Sequence, residues 1–161
     1  MIKYYILNLL CFCISLSGCS HYSFSGMGTP GIKSVAIPIF EDKSAEFQIQ
    51  EKLTTAVIDR FLRDNTLKVR EINEADAVLR GTITRVEDRP IALNQNEQAQ
   101  EFEFYIYVMV TYEAKGATKP LFSENLRGRG TYADPTDRDS GMNDAISKLA
   151  NDILNLVVTG W

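Results

Sequence analysis

The chain has 161 residues, with 17 Lys and Arg against 21 Asp and Glu and a formal net charge of −4. That acidic balance argues against a nucleic-acid partner, and an apolar share of 45% suits one folded domain with a two-layer core. All three cysteines fall within the first nineteen residues and the single histidine is His21. Beyond Cys19 the chain therefore offers no thiol nucleophile, no CxxC redox pair and no thiolate metal site, and a histidine triad is out of reach.

Met1–Lys3 lead into an apolar run from Tyr4 to Ile14, broken only by Asn8. One positive residue, roughly ten apolar residues and a small-residue site read as a secretory signal peptide. A membrane-spanning helix needs about 20 apolar residues. The run ends in "LSGC", Leu16–Cys19, which resembles the lipobox of bacterial lipoproteins. The resemblance implies cleavage before Cys19 and diacylation of that residue, and Ser20 in place of Asp implies sorting to the outer membrane. An ordinary signal peptide with an incidental cysteine is the plainer alternative. Acyl chains contribute about 0.8 kcal/mol per buried methylene, so a multiply acylated terminus is a stable anchor. The expected organisation is a signal peptide at 1–18, a lipidated tether rich in Ser, Gly and aromatics at 19–31, and a single domain at 32–161.

The domain opens with "KSVAIPIF" (Lys33–Phe40), a β-branched strand in which Pro38 marks an edge or an end. "FEDKS" turns the chain, and Ser44 is expected to cap a helix starting near Ala45. Within that helix Ile49, Leu53, Val57 and Phe61 form a stripe, widened by Ile58 and Leu62. "TLKVREI" (Thr66–Ile72) is the next strand and "NEAD" a turn. From Ala77 to Asp88 the residues alternate, with Ala77, Leu79, Gly81 and Ile83 on one side and Arg80, Thr82 and Thr84 on the other. A polar hairpin loop, Asn94–Gln100, leads to the strongest strand, "EFEFYIYVMVTYE" (Glu101–Glu113). "GATKP" turns into "LFSENLRGRGTY", with Gly128 and Gly130 on one side and Arg127 and Arg129 on the other. A last helix is expected after a cap at Asp139 or Ser140, its apolar face built from Met142, Ala145, Ile146, Leu149, Ala150, Ile153 and Val157.

The order β-α-β-β-β-β-α predicts an α+β fold: a two-layer sandwich of a mostly antiparallel four- to five-stranded sheet with both helices on one face. The other face is then uncovered. Tyr105, Tyr107 and Met109 lie on it, flanked by Arg127 and Arg129 and by Arg80, Thr82 and Thr84. Tyr and Arg tolerate water yet contribute strongly to interfaces, so this is an interaction surface in composition. An ordinary solvated sheet face fits it equally well. No GxSxG, Walker A or HExxH pattern occurs. "GRGTY" precedes no helix and reads as close strand packing. Asp134, Asp137 and Asp139 lack an EF-hand's ordered ligands and read as a turn and cap, and Glu101 and Glu103 read as a solvated edge rather than a glycosidase pair. Neither enzyme activity nor a cofactor is expected.

Several segments in order resemble the lipopolysaccharide-assembly lipoproteins of the LptE family: "LSGC" with "YSFSG", "SVAIPIFEDKS", "LTTAVIDRFLRD", "VREINEADAVLRGTITRVEDRPI", the Tyr/Val-rich strand, and "LRGRGTYAD" before the terminal helix. The resemblance implies a lipoprotein anchored on the periplasmic face of the outer membrane. It implies a plug inside the β-barrel partner LptD, assistance to the barrel's folding, and delivery of lipopolysaccharide to the outer leaflet. On this reading Tyr105, Tyr107, Met109 and Arg80 are candidate barrel contacts. The family is thought to meet lipopolysaccharide phosphates through basic residues near the hairpin. Here that loop has no Lys or Arg, so Arg127, Arg129, Lys115 and Lys119 are the candidate substitutes.

"VAIPIF", a helix and "ADAVLRGTI" also resemble periplasmic lipoproteins with TolB-N-like domains that activate peptidoglycan synthases. That is the alternative function. A tether of about a dozen residues, at about 3.3 Å each, reaches too short a distance for it.

Overall fold

A computed structural model of the chain describes residues 31–93 and 99–159. Cys19, His21 and positions 94–98 of the hairpin loop lie outside the described residues.

Pro38 has no amide proton to give a ladder, and the opening strand stops before it. What was expected as one strand over 33–40 is β1 (Ser34–Ala36), followed after a break by β2 (Glu41–Asp42). Both lie parallel to the same edge of β4 (Ala77–Leu93), with Val35 opposite Ala77 and Glu41 opposite Thr82. Between them Phe40 turns inward over Gly81, where a Cβ would stand 2.3 Å from the ring. The Phe40 N–H donates to the Thr54 hydroxyl at 3.0 Å, and that hydroxyl donates to the Gln50 carbonyl at 2.6 Å, so the buried polar groups are paired.

The first helix, α1 (Ile49–Asp64), starts four residues later than expected. Ala45 and Gln48 adopt left-handed φ values of 62° and 57°, which no helix can contain. Ser44 is not the cap: its hydroxyl donates to Asp42 Oδ1 at 2.6 Å. The stripe Ile49, Leu53, Val57 and Phe61 is buried as its spacing predicts, but Leu62 is exposed and Ile58 only half-buried. The helix ends on Asn65, whose left-handed backbone lets its N–H reach the Phe61 carbonyl at 2.9 Å.

Next, β3 (Lys68–Val69) pairs parallel with β1. β4, β5 (Ala99–Ala114) and β6 (Phe122–Tyr132) form an antiparallel meander. The sheet order is β3-β1-β4-β5-β6, with β2 beside β4, giving six strands rather than four or five. A 3-10 turn, Pro135–Asp137, runs into α2 (Arg138–Thr159). Asp134 caps that turn, accepting the Thr136 N–H at 2.8 Å, and Asp139 and Ser140, expected as the helix cap, lie inside α2.

Both helices pack on one face, as expected. The predicted stripe of α2 is buried throughout, joined by Leu154. Gly128 and Gly130 let α2 come close to β6: a Cβ on Gly130 would stand 1.9 Å from the Gly141 carbonyl oxygen. The largest enclosed side chains, among them Phe40, Phe61, Phe104, Leu53 and Ile106, fill the layer between helices and sheet. Each such side chain contributes about 1.5–3 kcal/mol through burial.

Asp76 ties the start of the domain to the start of β4. Its Oδ2 accepts the Lys33 N–H at 2.9 Å and the Ser34 hydroxyl at 2.7 Å, while its own N–H donates to Ser34 Oγ at 3.0 Å. Hydrogen bonds from Ser34 and then from Lys33 hold its carboxyl below the ordinary value of 3.8. This fixes the chain's entry at the end of the sheet where Ala77 faces Ala114, away from the β4–β5 hairpin.

Candidate functional site

The uncovered face belongs to β4, β5 and β6. Registers place its side chains in cross-strand rows: Arg80–Thr111–Ser123, Thr82–Met109–Asn125, Arg85–Tyr107–Arg127, Glu87–Tyr105–Arg129 and Arg89–Glu103–Thr131. A bulge between Ile83 and Arg85 makes this arrangement. Thr84 is the extra residue, and its hydroxyl donates to the Tyr107 carbonyl at 3.2 Å. Before it, even-numbered residues of β4 face outward; after it, odd-numbered ones do. Thr84 is thus not a further member of the Arg80–Thr82 row pattern, and Arg85, Glu87 and Arg89 join the face instead. Simple alternation missed these three. The signal in the sequence is the odd spacing from Ile83 to Val86, two residues that both face the core.

Around Tyr105 and Tyr107 stand the guanidinium groups of Arg85, Arg89, Arg127 and Arg129 and the carboxylates of Glu87 and Glu103. Arg85 lies 4.2 Å from the Tyr107 ring centre, and Arg89 and Arg127 each lie 5.2 Å from that of Tyr105. The Tyr107 hydroxyl donates to Glu87 at 2.7 Å and the Tyr105 hydroxyl to Glu103 at 2.5 Å. Arg89 and Arg85 pair with Glu87 at 2.5 and 3.4 Å, and Arg129 pairs with Glu103 at 2.9 Å. The Tyr107 hydrogen bond, helped by Arg85 and Arg89, holds the Glu87 carboxyl below its ordinary range. The bond to Glu103 raises the Tyr105 hydroxyl instead. The cluster sets four arginines against two glutamates on a chain whose overall charge is negative.

The network covers Tyr105, which is only 6% exposed, while Met109 at 39% stays open. Tyr105 is therefore the floor under Arg127 and Arg89 rather than a free ring. Arg80 sits two rows below Tyr107, loosely paired with Glu113 at 3.8 Å. Arg127 has no carboxylate partner among the described residues.

Lys115 and Lys119 are not brought to this cluster. Lys115 follows the end of β5, eight positions from Tyr107 or about 26 Å along the strand, and its amine donates to the Asn73 carbonyl at 2.6 Å. Glu101 and Glu103 do not act as a pair, since Glu103 is held by Tyr105 and Arg129.

The arrangement offers guanidinium and aromatic groups that can bind a polar or anionic group. Among the described residues no three His, Cys, Asp or Glu side chains gather to hold a metal ion, and no helix is long and apolar enough to cross a membrane. A groove of about 500 Å³ lies on the opposite border of the sheet, lined by Ile37, Pro38, Ile58, Val69 and Ile72.

Solved structures share this fold. Protein CT253 of Chlamydia trachomatis is similar with a TM-score of 0.62 at 12% identity, over 78% of this chain and 95% of that one. Protein XCC0632 of Xanthomonas campestris gives 0.63 at 10%, over 83% and 90%. Rare lipoprotein B of Shewanella oneidensis gives 0.54 at 18%, over 74% and 91%. No curated protein matches the sequence. The sequence model of one family, LptE, described as lipopolysaccharide-assembly, matches residues 32–159, nearly all of the folded domain, and the chain belongs to that family.

Proposed function

We propose that this chain is a lipid-anchored lipoprotein on the periplasmic face of the outer membrane. In this reading residues 1–18 are removed, Cys19 carries the lipid, and 19–31 tether the domain. The domain plugs an LptD-type β-barrel, helps that barrel assemble, and assists the passage of lipopolysaccharide to the outer leaflet. Family membership supports the general role. The observation that carries the plug is the uncovered sheet face, where Tyr107 and Met109 sit among four arginines and two glutamates while both helices cover the other side. The lumen of a large barrel is wet and polar. A wedge for it needs aromatic and guanidinium groups that bind without being greasy, and this face has them. Arg127 and Arg129 are the stronger candidates for lipopolysaccharide phosphates, because paired guanidinium groups suit phosphate and the two lysines lie far from them.

The test is recovery of the tagged protein from detergent-solubilised outer membrane. A large β-barrel in stoichiometric amount supports the plug. A peptidoglycan synthase in its place supports the alternative and sinks the plug. Cys19→Ala is expected to move the protein from the membrane to the soluble periplasmic fraction, and unchanged membrane retention contradicts the anchor.

A further inference from the structure

The outer border of the sheet is β6, eleven residues long and paired to β5 from Phe122 to Tyr132 without a register shift. The opposite border is two-residue β3. Folded proteins protect edges with short strands, bulges, prolines or charged side chains, lysine above all. β3 is protected by its length, whereas β6 has no bulge, proline or lysine and its charges are Glu124, Arg127 and Arg129.

Three contacts fix which way its backbone groups point. The Ile83 carbonyl accepts the Lys43 N–H at 2.9 Å, so Ile83 points its main-chain groups away from β5. The Tyr107 carbonyl accepts the Thr84 hydroxyl of β4. The Tyr112 carbonyl accepts the Leu121 N–H at 2.7 Å, on the β6 side. In an antiparallel ladder these directions alternate. Odd residues of β5 therefore bond toward β4 and even ones toward β6. Across the continuous register, even residues of β6 bond inward, and Asn125, Arg127 and Arg129 point N–H and C=O at the free edge. No partner for those groups occurs among the described residues. The same odd residues carry their side chains on the uncovered face, so Arg127 and Arg129 present a main-chain template and a positive charge together.

We infer that β6 is a docking edge which takes an extended segment of the barrel partner as an added antiparallel or parallel strand, with acidic side chains at alternate positions opposite Arg127 and Arg129. The identity of the partner rests on the plug reading above. Charge selects this occupant over a second copy of the chain. Antiparallel self-pairing sets Arg127 against Arg127, Arg129 or Asn125 in the registers nearest in phase, and none of these gives it a carboxylate, because the outward residues Ser123, Asn125, Arg127, Arg129 and Thr131 include no acid. An acidic strand instead supplies the carboxylate that Arg127 lacks, and main-chain bonds add affinity as in other strand additions.

The experiment is hydrogen exchange on the full lipidated chain, free and in its purified complex with the barrel, together with Asn125→Pro and Arg127→Glu. Proline at 125 removes an N–H that the fold does not use, so the melting temperature is expected to stay near that of the wild type. The amides of Asn125, Arg127 and Arg129 are expected to exchange at least tenfold more slowly in the complex, and both variants to recover at least tenfold less barrel. If the wild type recovers no barrel, the plug reading itself has failed. If it does recover barrel while these amides exchange as in the free chain, the edge is not paired and the inference is overturned. Exchange is read on the wild type, so a variant that fails to fold does not remove the test. Protection by lipopolysaccharide alone, or by dimerisation of the free chain, also overturns it.

Discussion

Arg138 and Glu46 are 92 positions apart, yet both terminal nitrogens of the guanidinium meet the two carboxylate oxygens at 2.9 Å each. The same guanidinium pairs with Asp88 at 2.9 Å and lies 4.7 Å from the Phe104 ring centre. One side chain thus ties the start of α2 to β4, β5 and the loop that enters α1. The contact is two-thirds shielded from solvent and charge-assisted. Arg138→Ala is expected to cost about 2 kcal/mol, seen as a melting temperature lower by about 5 °C. Arg138→Lys keeps the charge but loses the planar fork and should fall in between.

Gly130 faces the backbone of α2 and has no room for a methyl group, since the Gly141 carbonyl oxygen lies where a Cβ would go. Gly130→Ala must push helix from strand, at a cost of about 1–3 kcal/mol. Chemical denaturation should show a lower midpoint. A neutral result there means the α2–β6 contact is looser than described.

Asp76 gives a pH signature. Its folded carboxyl titrates below the ordinary 3.8, so its contribution is present above that pH and is lost as pH falls through the lowered value. Asp76→Asn should be less stable than wild type at pH 7, with the gap closing as pH falls below the ordinary 3.8 and through the lowered value. Thermal melts of both proteins across that acid range check this; a gap independent of pH rules it out.

At the alkaline end, Tyr132 is pushed up to about 12 by burial and by its hydrogen bond to Asp88. Its raised value means stability that is complete below 10, the ordinary tyrosine value, and is lost as pH rises through 12. Absorbance titration at alkaline pH should find Tyr132 among the last tyrosines to ionise. Tyr132→Phe should remove one late-ionising group.

Much of this was readable from residue order. The α2 stripe from Met142 to Val157 keeps one period over its length, and the alternation of Phe104, Ile106, Val108 and Val110 is unbroken, so both were legible. Legibility failed where the backbone departs from a period. Thr84 adds one residue to β4 and turns the face over, hiding Arg85, Glu87 and Arg89 from any fixed alternation. Ala45 and Gln48 delay α1 by taking left-handed angles that nothing in their side chains announces. Asp134 caps a 3-10 turn that runs into α2, so the helix begins at Arg138 and Asp139 and Ser140 fall inside it rather than at its cap. Of the candidate contacts, Tyr105, Tyr107, Met109, Arg127 and Arg129 share a face because their strand parities hold, whereas Lys115 and Lys119 are separated from it by strand length alone.

The uncovered face is the one proposed to meet the barrel, and Met109 is a natural probe of it. Met109 is 39% exposed on that face, while Met142, at 2%, lies under α2 as an internal control. Mild peroxide oxidation read by mass spectrometry should modify Met109 quickly in the free chain and at least tenfold more slowly in the purified complex, with Met142 slow in both. Oxidation of Met109 at the same rate in the complex contradicts the claim that this face is the mating surface.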